Sequence, residues 1–233
     1  MDRAADNPWT DRVARALFFP YFAVMHRFRW YGAENIPRSG PAILAANHQS
    51  WYDPVLISVA ASRRVVFLGW DYFCNMPVLG TLMRLAGTIP VDLDEPEPTA
   101  LARMIRALEQ GRLCGIFPEG GRTRDGLLER PKEGAATLAL RTGAPLIPVT
   151  ICGAYRAWGR GHALPRPTPI SLHFGAPLHV HRDADGTRAD PHERRREVTF
   201  ELMSRIADGF NELGRPDLAR ACQERLRSMC RRG

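Results

Sequence analysis

Residues 47–53 contain a histidine and an aspartate five positions apart, His48 and Asp53, which could form a general-base pair. If His48 lies in a turn and Asp53 on the first helical turn after it, the carboxylate can bind one ring nitrogen, leaving the other to accept a proton. Pro54 disfavours a helical conformation at Asp53. By spacing alone, this His–Asp segment (residues 47–53) is equally consistent with a purely structural turn. No G-x-S-x-G motif supports a serine hydrolase.

Residues 117–126 form a second candidate, here called the Gly–Arg segment, with the sequence Phe-Pro-Glu-Gly-Gly-Arg-Thr-Arg-Asp-Gly. Its three glycines allow backbone N–H groups to point inward, and Arg122 and Arg124 offer forked donors that suit a phosphate. Glu119 is expected either to hold Arg122 in position or to bind a substrate hydroxyl. Composition alone leaves open a glycine-rich surface turn. The segment is not a P-loop, because no Gly-Lys-Ser/Thr follows.

The elements around both segments alternate between apolar strands and helices. Strands are predicted at residues 42–46, 65–68, 88–91, 113–117, 146–151 and 170–174, and helices at residues 54–61, 78–85, 99–110 and 134–141. The strands are almost continuously apolar, which indicates that both of their faces are covered. The pattern predicts an α/β layered domain with a largely parallel sheet flanked by helices, in which both segments lie at the carboxyl ends of strands.

The two ends of the chain differ from this central part. Residues 16–25 are uninterrupted apolar residues with arginines on both sides, too short to span a bilayer but suited to a helix in one leaflet. Packing of that helix on the domain's own core is the alternative. Near the other end, Asp190 and Pro191 predict the start of a helix that stops at Gly214, and a second helix begins at Pro216. We therefore expect a membrane-associating segment at 1–31, an α/β domain at 32–181 and a helical extension at 182–233.

The formal net charge is +7, from 32 basic and 25 acidic side chains, which favours contact with phosphates or an anionic membrane surface. A nucleic-acid partner is not expected, because the arginines are dispersed among acidic residues and no recognition motif is present. The five cysteines show no C-x-x-C spacing, and the two histidines His179 and His181 make a poor zinc site. The sequence therefore predicts reduced thiols and no metal site.

Together the two segments resemble the glycerolipid acyltransferase family typified by 1-acyl-sn-glycerol-3-phosphate acyltransferase. That family is marked by Asn-His, four residues and Asp, followed later by Phe-Pro-Glu-Gly-x-Arg-Ser/Thr. Both motifs are complete here, the first as Asn47, His48 and Asp53 and the second as residues 117–123. The resemblance extends from about residue 30 to residue 175, and residues 132–135 and 145–149 are similar to later family blocks.

The resemblance implies transfer of a fatty acyl group from acyl-CoA or acyl-ACP to the free hydroxyl of lysophosphatidate, which gives phosphatidate for phospholipid synthesis. His48 is then the general base and Asp53 its stabilising partner. The expected substrate-binding residues are Asn47, Glu119, Gly120, Gly121, Arg122 and Thr123. No cofactor is expected, because the thioester is already activated. The expected location is the cytoplasmic face of the inner or plasma membrane, as a peripheral or monotopic protein, with acyl carrier protein as one potential donor partner.

One position departs from the family pattern. After residues 87–92 the family usually has an arginine that helps to hold the acceptor phosphate, and this chain has Leu93. Either Arg122 and Arg124 are sufficient to hold the acceptor phosphate, or the acceptor is a different compound, such as another lysophospholipid or a lyso-ornithine lipid. A non-catalytic peripheral lipid-binding protein is the alternative of a different class. The resemblance does not indicate the acyl-chain length, the donor carrier or the oligomeric state.

Overall fold

The computed structural model of the chain describes residues 8–70, 89–91, 97–181 and 190–230. The strands are β1 (Arg29–Tyr31), β2 (Ala42–Ala46), β3 (Val65–Trp70), β4 (Ile89–Val91), β5 (Leu113–Ile116), β6 (Leu146–Cys152) and β7 (Ser171–Phe174). The helices are α1 (Pro8–His26), α2 (Asp53–Ala60), α3 (Glu97–Glu109), α4 (Gly134–Thr142), α5 (Ala154–Trp158), α6 (Pro191–Glu212) and α7 (Pro216–Cys230), with a 3₁₀ turn at Ala33–Asn35.

The strands form one seven-stranded sheet in the order β1-β7-β6-β2-β5-β3-β4. Strands β6, β2, β5, β3 and β4 are mutually parallel, whereas β7 runs antiparallel to β6 and pairs in parallel with β1. In the centre, Ala45 of β2 aligns with Ile116 of β5, and Ala46 aligns with Val149 of β6. The carboxyl ends of β2, β5 and β6 therefore meet at one edge, and the His–Asp and Gly–Arg segments leave the sheet there.

Alternate residues of the central strand enter two hydrophobic layers. Leu44 belongs to the layer that contains residues of α2 and α5, and Ile43 belongs to the layer that contains residues of α3, α4, α6 and α7. Every residue of β2 and β6 is buried. Complete burial of one such aliphatic side chain contributes about 1.5–3 kcal/mol. The site-bearing edge thus belongs to the most deeply buried strands described.

The predicted α/β class and largely parallel sheet are confirmed. Predicted strand and helix ends differ from the observed ones by a few residues, and Phe117 lies beyond β5. Strand β1 and helix α5 were not predicted. The predicted helix at 78–85, together with residue 88 and Leu93, lies outside the described residues. The three predicted regions, 1–31, 32–181 and 182–233, stay a prediction.

Helix α1 has one buried face and one exposed face. Phe22 and His26 are buried, and the ring of Phe22 lies 5.1 Å from that of Tyr52 (centroid distance). In contrast, Phe19 is 40% exposed and Val24 is 80% exposed. Part of this helix therefore packs on the domain, as the alternative interpretation expected, and an apolar face remains uncovered. Among the described residues, no helix has the length and apolarity needed to cross a membrane.

The two helices near the end of the chain form as predicted. Asp190 caps α6 by accepting a hydrogen bond from the backbone N–H of His192 (2.9 Å), and Pro191 occupies the first helical turn. Helix α6 packs directly on β6, since a Cβ built on Gly209 would lie 2.1 Å from Oγ1 of Thr150. Helix α7 then returns toward the Gly–Arg segment, where Arg225 forms a two-bond ion pair with Asp125 (2.6 and 3.0 Å).

Candidate active site

The His48 imidazole and the Asp53 carboxylate are in direct contact. The distance from His48 Nδ1 to Asp53 Oδ2 is 2.9 Å, and Asp53 is completely buried while the His48 side chain is 19% exposed. A carboxylate oxygen accepts hydrogen bonds, so Nδ1 is the donor in this pair. In the neutral imidazole the proton is then on Nδ1, and Nε2 has a free lone pair. This is the arrangement of a general base with an orienting acid.

The local fold of the His–Asp segment is stabilised by the same carboxylate. Asp53 Oδ2 also accepts hydrogen bonds from the backbone N–H groups of Gln49 (2.5 Å) and Ser50 (2.7 Å). Helix α2 begins at Asp53 with Pro54 directly after it. Asp53 therefore lies on the first helical turn, as its contact with His48 requires, although Pro54 disfavours a helical conformation there. The three donors on one oxygen hold Asp53 in place against that local preference.

Glu119 connects the Gly–Arg segment to His48. Its Oε1 accepts a hydrogen bond from the backbone N–H of His48 (2.8 Å), and its Oε2 accepts one from the backbone N–H of Glu129 (2.9 Å). In return, the backbone N–H of Thr123 donates to the carbonyl oxygen of His48 (2.8 Å). Glu119 therefore positions the histidine backbone. Within the described residues, Glu119 forms no hydrogen bond with the Arg122 guanidinium, so it does not hold Arg122 in the way that the sequence suggested.

Side chains on either side of His48 tie the His–Asp segment to the rest of the sheet edge. The Asn47 amide donates to the carbonyl oxygen of Ile151 and accepts from its N–H (2.9 and 2.7 Å). Ser50 Oγ donates to the carbonyl oxygen of Trp158 (2.8 Å), and Gln49 bonds the carbonyl of Gly126. The imidazole plane is therefore fixed through its backbone and through its hydrogen bond to Asp53.

Aromatic rings complete the surroundings of the two functional side chains. The Phe117 ring stacks on the His48 ring with centroids 4.0 Å apart. The guanidinium carbon of Arg122 lies 3.7 Å from the centroid of the Trp51 ring, a cation–π contact. Trp51 is 46% exposed, so the Arg122 guanidinium is held at the surface of the site next to the His–Asp segment.

The remaining residues of the Gly–Arg segment differ in their roles. Gly120 has a φ of +68°, and a Cβ there would lie 2.9 Å from Cε of Lys132, so conformation and space both favour glycine. At Gly121 the space for a Cβ is open. The Thr123 hydroxyl is used within the loop, where it donates to the carbonyl oxygen of Leu127 (2.7 Å). Thr123 is buried, which favours a positioning role.

Burial changes the acid–base behaviour of two groups in the Gly–Arg segment. Burial of Glu119 raises the pKa of its carboxyl group to about 7, although two backbone N–H groups act in the opposite direction. Burial, together with the positive charge of Arg160, lowers the pKa of the Arg122 guanidinium. Among the described residues, no three His, Cys, Asp or Glu side chains come close enough to hold a metal ion.

The structure thus gathers all the predicted site residues at one edge of the sheet. His48, Asp53 and Arg122 present functional groups there, whereas the side chains of Asn47, Glu119 and Thr123 bind the protein's own backbone. Their assignment as substrate-binding residues stays a prediction. Reasoning from the sequence missed Gln49, Ser50 and the ring contact of Trp51, because residue types and spacing give no signal for a partner far along the chain.

The sheet topology and the two segments at the carboxyl ends of its strands can be compared with those of known proteins. The model of the Acyltransferase family matches residues 27–152, and the chain belongs to that family. It is 29% identical over 184 residues to the 1-acyl-sn-glycerol-3-phosphate acyltransferase of Bacillus subtilis (strain 168), covering 78% of this chain and 88% of the relative.

Two further relatives agree with this assignment. The chain is 32% identical over 185 residues to the chloroplastic 1-acyl-sn-glycerol-3-phosphate acyltransferase BAT2 of Brassica napus, covering 77% of this chain and half (50%) of the plant protein. The crystal structure of the 1-acyl-sn-glycerophosphate (LPA) acyltransferase PlsC from Thermotoga maritima superposes with a TM-score of 0.71 at 26% identity, covering 88% of this chain and 79% of that one. The family expected from the sequence is confirmed.

Proposed function

We propose that the protein transfers a fatty acyl group from an acyl thioester to the free hydroxyl of lysophosphatidate, forming phosphatidate. The observation that carries the proposal is the 2.9 Å contact between His48 Nδ1 and the buried Asp53 carboxylate, at the sheet edge that also holds Arg122. The relatives named as 1-acyl-sn-glycerol-3-phosphate acyltransferases support the choice of acceptor.

The chemistry follows from the free Nε2 of His48. This nitrogen removes the proton from the acceptor hydroxyl while the hydroxyl oxygen attacks the thioester carbonyl carbon. The carbon–sulfur bond then breaks, the thiol leaves as a thiolate, and His48 returns the proton to the sulfur. Asp53 stabilises the imidazolium ion between the two steps. Positioned proton transfer of this kind contributes about 10²–10⁴ to the rate.

The rigid backbone around His48 contributes orientation. The backbone N–H and carbonyl groups of His48 are held by Glu119 and Thr123 of the Gly–Arg segment, and the ring is held by Asp53. The imidazole therefore loses little freedom when the substrates bind, which lowers the entropic part of the barrier. The donor is expected on coenzyme A or acyl carrier protein, and no cofactor is required for this sequence of bonds.

The acceptor is the part of the proposal that is tested first. Purified protein is incubated with an acyl-CoA and, separately, an acyl-ACP, and thiol release is measured with lysophosphatidate, glycerol 3-phosphate, a neutral lysophospholipid and a lyso-ornithine lipid. We expect release that requires lysophosphatidate. Thiol release with only another acceptor would show that this other compound is the substrate. No thiol release with any acceptor would favour a non-catalytic lipid-binding protein.

We also propose that the outer face of α1 binds the surface of an anionic membrane from the cytoplasmic side. Val24 is exposed on this face, Phe19 is partly exposed at its margin, where its ring meets that of Trp30, and Arg27 and Arg29 follow directly and are exposed too. Apolar side chains flanked by arginines suit the boundary between acyl chains and head groups. The inner face of α1 packs on Tyr52, with Tyr21 Oη 2.6 Å from Tyr52 Oη, so α1 would connect the bound membrane surface to the His–Asp segment.

Two matched phenylalanines test the membrane proposal. Phe19 on α1 is 40% exposed and Phe200 on α6 is 39% exposed. We expect Phe19→Ser to weaken sedimentation with vesicles that contain anionic phospholipid, and Phe200→Ser to bind as the wild type does. Equal binding of the two variants would contradict the assignment of α1 as the membrane-facing element.

A further inference from the structure

The turn after α5 brings a second guanidinium toward Arg122. Ser50 Oγ donates to the carbonyl oxygen of Trp158 (2.8 Å), and Tyr155 Oη donates to the carbonyl oxygen of Arg124 (2.7 Å). These bonds attach α5 to both the His–Asp segment and the Gly–Arg segment. Arg160 stands two residues beyond Trp158 and is exposed. The backbone of Arg160 therefore lies near the place where Trp158 meets the His–Asp segment.

The turn that carries Arg160 is tightly built. Gly159 is buried, and a Cβ at this position would lie 2.4 Å from the carbonyl oxygen of Tyr155, so only glycine fits without displacement of the backbone. The N–H of Gly159 donates to that same carbonyl (2.8 Å), and the N–H of His162 donates to the carbonyl of Gly159 (3.2 Å). The backbone at Arg160 is thus fixed relative to α5.

The like charges of Arg122 and Arg160 are near enough to interact. The charge of Arg160 contributes to the lowered pKa of Arg122, after the larger effect of burial. Within the residues that the structure describes, no carboxylate forms an ion pair with either guanidinium. Two neighbouring cations repel each other, and an anion placed between them removes that repulsion and gains charge-assisted hydrogen bonds.

We infer that Arg122 and Arg160 together bind the phosphate monoester of the acceptor, with Arg160 as a second residue that determines acceptor specificity. The inference rests on the proposed function, because it names the group of the acceptor that the site recognises. In lysophosphatidate, two carbons and an ester oxygen separate the reacting hydroxyl from phosphorus. The residues on either side of Arg122 in the Gly–Arg segment, Glu119 and Thr123, bond the His48 backbone directly, so the proposed phosphate site and the imidazole belong to the same cluster of bonded segments.

The variant Arg160→Ala tests the inference, with Arg156→Ala as its matched control. Both arginines are exposed and belong to α5 or its next turn, but the charge of Arg156 acts on Cys152 and is not among the charges that act on Arg122. In micelles of neutral detergent, which present no anionic surface, we expect Arg160→Ala to raise the KM for lysophosphatidate about ten-fold or more, with kcat little changed. Arg156→Ala should leave the KM unchanged, and Arg160→Lys should restore part of the affinity.

A binding measurement separates this inference from the proposed function. Calorimetric titration with sn-glycerol 3-phosphate measures phosphate binding without turnover. If the wild type binds sn-glycerol 3-phosphate and Arg160→Ala binds it more weakly, the inference is supported. This holds even if the wild type releases no thiol with lysophosphatidate. A KM and a phosphate affinity that are both unchanged by Arg160→Ala would overturn it, as would a wild type that neither binds this probe nor uses lysophosphatidate. An Arg160 effect confined to anionic vesicles would overturn it too, since the residue would then contact the membrane.

Discussion

Replacement of Glu119 by glutamine tests the connection between the two site segments. In the wild type, each carboxyl oxygen of Glu119 accepts one backbone N–H group, from His48 and from Glu129. A glutamine has one accepting oxygen and one NH₂ group, so one of the two backbone donors must face another donor. An unpaired buried donor costs about 1–3 kcal/mol. At low pH the carboxyl group is protonated, but both of its oxygens keep lone pairs that can accept, so we expect Glu119→Gln to be less stable than the wild type by about this amount.

The pH dependence of that difference has a defined sign. Burial raises the pKa of Glu119 from 4.5 to about 7, so the folded protein binds this proton more tightly than the unfolded chain does. The associated stabilisation is complete below pH 4.5 and is lost as the pH rises toward 7. This difference in pKa between the unfolded and folded states corresponds to about 3 kcal/mol in the free energy of unfolding. Since glutamine does not titrate, the advantage of the wild type should disappear or reverse by about pH 8.

Urea denaturation of both proteins between about pH 4.5 and pH 8 measures this effect. The difference between the two free energies of unfolding cancels the titration of groups that they share. Glu224→Gln, at an exposed glutamate on α7, serves as the matched control and should differ from the wild type by a constant amount. A difference for Glu119→Gln that does not change with pH would refute the argument that burial governs this carboxyl group.

Two further substitutions test the catalytic pair and the packing behind it. Asp53→Asn should lower kcat by about 10²–10⁴, because an amide cannot stabilise the His48 imidazolium, and steady-state kinetics would contradict this if kcat stayed near the wild-type value. Gly209→Ala should destabilise the protein by about 1–3 kcal/mol, since the added Cβ overlaps Thr150 of β6. Its urea midpoint is the measurement, and a midpoint at or above that of the wild type would show that α6 does not pack on β6 in this way.

The elements that the sequence predicts well are those that continuous apolar runs define. Strands β2 and β6 are buried on both faces, so their composition alone reveals them. Helix α6 has a local signal at its start, where Asp190 caps the first turn. The site pair was predictable because the two complete motifs together resemble a known family, whereas the spacing of His48 and Asp53 alone left a structural turn open.

The features that were missed depend on contacts with distant residues. Strand β1 has three residues, two of them exposed, and becomes a strand only through its pairing with β7. The antiparallel direction of β7 also has no local signature. The role of Glu119 depends on a backbone donor in another loop, and the place of Arg122 depends on the Trp51 ring. Such tertiary partners cannot be read from residue type and spacing.

The most direct test of the account compares thiol release by the wild type and by His48→Ala, with lysophosphatidate and an acyl thioester as substrates. His179→Ala is the matched control, since His179 is exposed on the β7 side of the domain, outside the His–Asp and Gly–Arg segments. We expect His48→Ala to lose about 10²-fold or more of the activity while it keeps the wild-type circular dichroism spectrum, and His179→Ala to remain active. A His48→Ala variant that retains most of its activity would contradict the assignment of His48 as the general base.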